Sequence, residues 1–258
     1  MALPRNPIVW IDLETTGLDI FNDTILEVAV VITDSLGKNA VDSHGLQLVV
    51  KTDEEVLNSM HPECIKMHGP SGLIDACLAS AHTRADVVDQ VMQYIKKWVP
   101  GPRVAMLGGS SVHFDRAFLN REMPEITAYL RYQQLDVTSI MIATRALYNG
   151  AGQPERTGAT KHRAMDDIRE TIRYYKYNLE TFFRPPQEFI KARGIARAQT
   201  MPHIQASTKN GPATEKHEPG GVVRRVSHGA HNAKPYEALQ SKAGLVANDE
   251  PQEGTVAA

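Results

Sequence analysis

The segment Ile8-Val9-Trp10-Ile11-Asp12-Leu13-Glu14 sets the tightest limit on what this chain can become. It starts as an apolar run of the kind that fills a buried strand, then places two carboxylates two residues apart. Side chains alternate faces along a strand, so Asp12 and Glu14 project from one face, about 6–7 Å apart, with Leu13 on the other. Two carboxylates aimed into one space repel each other unless a cation or a proton holds them. Divalent ions about 3.5–4 Å apart, bridged by such carboxylates, form an arrangement suited to phosphoryl transfer.

The apolar positions of this strand need a sheet around them. Residues 7–14, Ile25 to Thr33 and Leu46 to Val50 read as three strands, and the short turns between them predict an antiparallel meander. Pro62 to Met67 and Ser71 to Ala79 read as short helices, divided at His68-Gly69-Pro70. From Thr83 to Val99, the residues Val87, Val88, Val91, Ile95 and Trp98 recur at helical spacing. Thr83 is the N-cap there, Asp86 its capping-box partner, and Pro100-Gly101-Pro102 the stop. A short strand at Val104 to Leu107, a helix carrying Phe118 and Leu119, a strand at Leu135 to Val137 and a helix from Ser139 to Leu147 follow. A polar loop at 149–161 leads into a long helix from Arg163 to Phe183. Strands first, then strand–helix alternation, predict an α/β fold with a mixed β-sheet flanked by helices.

Past Phe183 the character changes. Arg184-Pro185-Pro186 ends the helix, and residues 184–198 retain enough pattern for one extra helical segment. From Gln199 onward Gly, Pro, Ser, Asn and charged residues dominate, too few apolar groups to offset chain ordering at roughly 1–2 kcal/mol per residue. The expected organisation is one domain over residues 1–183, the short segment 184–198 and a disordered tail over 199–258.

Net charge is −2, but residues 184–258 carry +3 and the remainder −5. An acidic body argues against a broad basic grip on duplexes, yet not against chemistry at phosphates if the acids hold cations. No apolar run approaches the roughly 20 residues that span a membrane, so no membrane association is expected. The start leaves no room for a cleavable leader before the first strand, which predicts an intracellular, cytoplasmic protein, with mitochondrial entry through an internal signal as the alternative. Cys64 and Cys77 have neither metal spacing nor a disulfide framework and read as buried free thiols.

Further acids can join Asp12 and Glu14. Asp115 follows a strand at the start of a helix, where it is either a ligand or a first-turn acid facing the helix dipole. On the last helix, Ala164, Ile168, Ile172, Tyr175 and Leu179 form the stripe that faces the sheet. Asp167 lies at the edge of that stripe and Asp166 opposite it, so Asp167 is the ligand candidate and Asp166 a solvated acid. His162 stands five residues earlier in a loop; a neutral imidazole is a suitable general base for water at physiological pH. Its neighbours Lys161 and Arg163 would discourage its protonation or touch phosphate.

Asp-x-Glu, a later Asp, and His-x4-Asp resemble the pattern of DEDD-type 3′-to-5′ exonucleases of the histidine subclass, which have a ribonuclease H-like fold. More narrowly, the chain resembles the oligoribonucleases. The matching runs are Trp10-Ile11-Asp12-Leu13-Glu14 with Thr16-Gly17-Leu18, His68-Gly69-x-Ser71-Gly72-Leu73, Ser111-Val112-His113-x-Asp115 with Phe118-Leu119, Tyr132-x-x-Leu135-Asp136-Val137, and His162-Arg163-Ala164-Met165-Asp166-Asp167-Ile168-Arg169-Glu170. The resemblance implies that residues 1–183 are an exonuclease domain. Asp12, Glu14, Asp115 and Asp167 would hold two Mg²⁺ or Mn²⁺ ions, and His162 would activate water. The substrate would be short single-stranded RNA, di- to pentanucleotides, released as 5′-mononucleotides. It also implies substrate contacts at Leu18, wedged between the last two bases, at His68 and at Ser111. Tyr132 would join the catalytic set by reaching the partner subunit's site in a homodimer. The chain departs from the usual family pattern at Ser110 (an asparagine there), at Met141 (a lysine) and at Arg145-Ala146-Leu147 (Arg-Arg-Trp). Two other readings stand beside it: a general single-strand 3′-to-5′ exonuclease of the proofreading type, acting on DNA, and a catalytically silent RNA-binding module.

Overall fold

The computed structural model describes residues 6–150, 154 and 162–183. Strands β1 (Ile8–Thr15), β2 (Ile25–Thr33) and β3 (Leu46–Val49) form the antiparallel meander. Four helices follow: α1 (Glu54–Asn58), α2 (Pro62–His68), α3 (Leu73–Ala79) and α4 (Arg84–Trp98). Then come β4 (Met106–Gly109), α5 (His113–Glu122), α6 (Pro124–Tyr129), β5 (Gln134–Asp136), α7 (Val137–Leu147) and α8 (Ala164–Thr181). β4 adds parallel to β1 and β5 parallel to β4, so the sheet order is β3-β2-β1-β4-β5. This is the mixed sheet that the order of elements predicts.

Strand alternation divides the core into two layers. Val9, Ile11 and Leu13 of β1, with Val28, Val30 and Ile32 of β2, pack against Val87, Val91 and Ile95 of α4 and Phe118 and Leu119 of α5. Ile8 and Trp10, with Ala29 and Val31, face the other way onto Ala164, Met165, Ile168 and Tyr175 of α8. Trp10 is fully buried, donates from Nε1 to Thr33 Oγ1 at 2.8 Å and lies 5.4 Å from the Tyr175 ring. By the same period of two, Asp12 and Glu14 continue the Ile8–Trp10 face and look toward α8. Glu27 of β2 shares that face with Ala29 and Val31, directly opposite Glu14 in register.

The α4 prediction holds in detail: Thr83 Oγ1 accepts from Asp86 N at 3.2 Å while the Asp86 carboxylate accepts from Thr83 N at 2.9 Å, a complete capping box. The helix expected from Ser71 starts at Leu73, because Gly72 takes a left-handed φ of 73° as its N-cap. The strand expected at Val104 begins at Met106. Two short helices, α1 and α6, were not expected; α1 buries only Leu57 and α6 only Ile126. Cys64 and Cys77 are buried free thiols. Among the described residues no helix is long and apolar enough to cross a membrane. Most of the expected 149–161 loop, the segment 184–198 and the tail 199–258 lie outside the described residues.

Gly108 shows how tightly the sheet packs where it carries the site. It pairs with Trp10, and a Cβ there would sit 2.6 Å from Ile8 Cγ2 and 2.9 Å from Trp10 Cε3. Gly108→Ala should therefore cost about 1–3 kcal/mol in urea denaturation; a loss below about 0.5 kcal/mol, as at an unconstrained surface position, would contradict this packing.

Candidate active site

Three separate elements deliver acids to one end of the sheet. β1 supplies Asp12 and Glu14. The apolar stripe of α8 seats on the same face through Ala164, Ile168, Ile172, Tyr175 and Leu179, which turns Asp167 toward them. One ligand oxygen from each of Asp12, Glu14 and Asp167 lies within 4.8 Å of the others. Asp166 is instead exposed, 3.9 Å from Arg169 Nη1. Asp115 comes from the first turn of α5, is only 5% exposed, and accepts from the backbone N–H of Leu13, between the two β1 acids, at 3.1 Å. It adjoins the trio without belonging to the tightly gathered group.

The loop into α5 is braced from two sides. Ser110 Oγ and Thr171 Oγ1 of α8 share a 3.0 Å hydrogen bond. The Ser111 N–H donates to Asp136 Oδ1 and Thr138 Oγ1, both at 2.9 Å. Ser111 itself has a left-handed φ of 51°.

Burial and mutual repulsion govern the titration of these acids. Desolvation first, then the charges of Asp115, Asp167, Glu14 and Glu27, push the Asp12 carboxyl well above its ordinary range. Desolvation and Asp167 push Glu14 up to about 8, with Arg163 acting the other way. Desolvation outweighs the hydrogen bond from Leu13 and raises Asp115 to about 7. An all-carboxylate donor set crowded to this degree fits hard divalent cations, which take oxygen ligands and offset the repulsion that protons must otherwise relieve.

The remaining predicted residues are placed differently from one another. His162 is exposed, has a left-handed φ of 47° and lines a groove of about 1050 Å³ with Lys66, Met67, Ser71, Arg163 and Arg169. His68 is only 1% exposed and sits behind the β1 acids: its Nε2 bonds the Thr15 carbonyl at 3.0 Å and its Nδ1 lies 3.9 Å from Glu14. That Nδ1 has no hydrogen-bond partner among the described residues. Leu18 is 78% exposed. Tyr132, 83% exposed, lines a different groove of about 490 Å³ with Arg103, Arg116 and Arg131.

Sequence reasoning passed over Glu27. Its side chain is fully buried, next to Glu14, and it takes Arg163 in a two-pronged ion pair, Nε at 3.0 Å and Nη2 at 2.5 Å. Arg163, expected to discourage His162 protonation or to touch phosphate, has its guanidinium engaged with Glu27. The available signal was a lone acid inside the otherwise apolar Ile25–Thr33 run, on the face of Asp12 and Glu14.

A ribonuclease H-like sheet carrying this cluster of acids fits the class of metal-dependent nucleases. The family model described as "Exonuclease" matches residues 9–175. The mitochondrial oligoribonuclease of Saccharomyces cerevisiae is 39% identical over 201 residues, covering 75% of this chain and 74% of that protein. An oligoribonuclease of Nocardia farcinica is 40% identical over 213 residues, 78% of this chain and 97% of that one. The chain belongs to the oligoribonuclease family of exonucleases. Among solved structures, E. coli exonuclease I in complex with a dA16 oligonucleotide shares the fold at 20% identity and a TM-score of 0.54, over 74% of this chain but 43% of that one.

The raised carboxyl pKa values give a signed expectation. Without metal, the folded protein retains protons that the unfolded chain has released, so stability present at low pH is lost as pH rises through about 7 and 8. The His68 pKa is lowered by burial from its ordinary value near 6.5, so between about pH 7.5 and 8.5 it is neutral in both states and does not oppose the trend. The Tm of chelated protein should fall across that interval, and the gain from Mn²⁺ should grow. Metal-free Asp12→Asn should melt above the parent protein at about pH 8 and lose most of the Mn²⁺ gain. A lower Tm in that variant would contradict the repulsion.

Proposed function

We propose that Asp12, Glu14, Asp115 and Asp167 hold two divalent cations, Mg²⁺ or Mn²⁺, and that the protein uses them to hydrolyse short single-stranded RNA from the 3′ end to 5′-mononucleotides. Di- to pentanucleotides are the substrates. The observation that carries this reading is the gathering of half-buried Asp12, Glu14 and Asp167 from β1 and α8, with buried Asp115 of α5 tied to the backbone between the two β1 acids. Bound cations supply positive charge to the scissile phosphate and the departing 3′ oxygen. His162 takes the proton of the attacking water as its oxygen bonds to phosphorus; exposed beside the groove, it can pass that proton to solvent. The P–O3′ bond breaks, and the shortened chain's 3′ oxygen acquires a proton.

The loop after β1 is built to present Leu18. Asp23 accepts from Thr16 Oγ1 and the Asp19 N–H, both at 2.8 Å, and Arg121 bonds the Ile20 and Asp23 carbonyls. An exposed leucine on so fixed a loop is preorganised to wedge between bases. Ser111 completes the substrate contacts, and His68, buried behind Glu14, bears on the substrate through that carboxylate. Tyr132 acts in a homodimer, its exposed ring and the three arginines beside it serving the RNA held by the second copy. A cytoplasmic setting belongs to this reading; the mitochondrion is the alternative, as in the name of the yeast relative.

Incubation with end-labelled RNA of graded length and Mg²⁺ tests the activity. The expected result is a stepwise ladder from the 3′ end, fastest for the shortest chains; equal rates on long RNA or on DNA would favour a general single-strand exonuclease. His162→Ala should lower turnover about 10²–10⁴-fold while the Mn²⁺ gain in Tm persists. Unaltered turnover would remove His162 from its role as base.

A further inference from the structure

We propose that Glu27 and Arg163 form a positioning clamp that sets the backbone at His162, and so the place of the general base, without touching RNA or metal. The proposal rests on His162 acting as base. The sequence Lys161-His162-Arg163-Ala164 offers no Ser, Thr, Asp or Asn to cap α8, and its N-cap, Arg163, makes no side-chain cap bond. The exposed first-turn N–H groups of a helix need an acceptor. Glu27 supplies one from β2, 137 residues away in the chain: its Oε2 accepts from Ala164 N at 3.0 Å. The same carboxylate receives the Arg163 fork and, from β3, Gln47 Nε2 at 2.9 Å. One buried acid thus ties the start of α8 to both neighbouring strands of the meander.

His162 immediately precedes this junction and holds a left-handed φ of 47°. A non-glycine residue persists there when its surroundings over-determine it. The clamp fixes the next side chain and the next-but-one backbone N–H, which is where such control must act. Simple stabilisation is a poor account of the pair. Glu27 is fully buried and the Arg163 side chain only 26% exposed, and a buried ion pair generally stabilises no better than apolar packing of the same volume. What the fork supplies instead is fixed geometry. A base moved by about 1 Å can lose about 10²-fold in rate, so geometry at this position is worth holding.

Arg163→Lys keeps the charge, and keeps Glu27 for Ala164, but loses the fork. The expected signature is a kcat lower by about 10²-fold, an unchanged KM and an unchanged Mn²⁺-induced rise in Tm. Introduced into His162→Ala, the same substitution should lower kcat no further, because both act on one step. Glu27→Gln, which retains a carbonyl acceptor for Ala164, should reproduce the kcat loss if the lysine variant fails to fold. A raised KM with kcat intact would make Arg163 an RNA contact, and loss of the Mn²⁺ effect would make the pair part of the metal site; either overturns the clamp. So would a further drop in the His162→Ala background. Full turnover in Arg163→Lys beside a slow His162→Ala overturns the clamp alone, whereas full turnover in His162→Ala overturns the base and the clamp together.

Discussion

Charge crowding on one face of the sheet governs this protein. Asp12, Glu14 and Glu27 occupy neighbouring positions on β1 and β2, and α8 and α5 add Asp167 and Asp115. Water is largely excluded, so each carboxylate feels the others more strongly than it would at a surface. Packed apolar layers above and below keep the backbones from drifting apart to relieve the strain. The fold answers one acid internally, giving Glu27 a guanidinium. In the proposed account divalent ions from solution meet the others. On that account a structural and a functional carboxylate stand directly opposite each other in one ladder.

That division links architecture to chemistry. The period of two along β1 puts Ile8 and Trp10 into the core and Asp12 and Glu14, on the same face, at its rim. The α8 helix meets both halves: its stripe packs on Trp10, and its first turn reaches the acids. The sheet that holds the helix also aims the site, and a shift of α8 would disturb both. Asp115 is anchored differently, through the Leu13 backbone, so its position follows the strand itself rather than the packing of side chains.

Much of this is legible in the residues. The nine-residue β2 run and the α4 capping box can be read locally because strong periodicity and paired caps are local properties. The choice of Asp167 over Asp166 follows from the apolar stripe, since 100° per residue decides which acid can turn toward the sheet. The short helices α1 and α6 escape for the opposite reason: one or two turns with a single buried residue carry no periodic signal. The Glu27–Arg163 pair escapes because it is 136 residues apart in the chain, and pairing at that distance is fixed by strand register and helix docking rather than by spacing. His68 shows a related limit: its proximity to Glu14 depends on α2 folding back under the end of β1, where its ring reaches the Thr15 carbonyl.

Anomalous diffraction from crystals grown with Mn²⁺ and a 5′-mononucleotide tests the central claim most directly. The account predicts two manganese peaks between the phosphate and the carboxylates of Asp12, Glu14, Asp115 and Asp167. Manganese absent from that space, or bound with Asp115 or Asp167 turned away from it, would contradict the account.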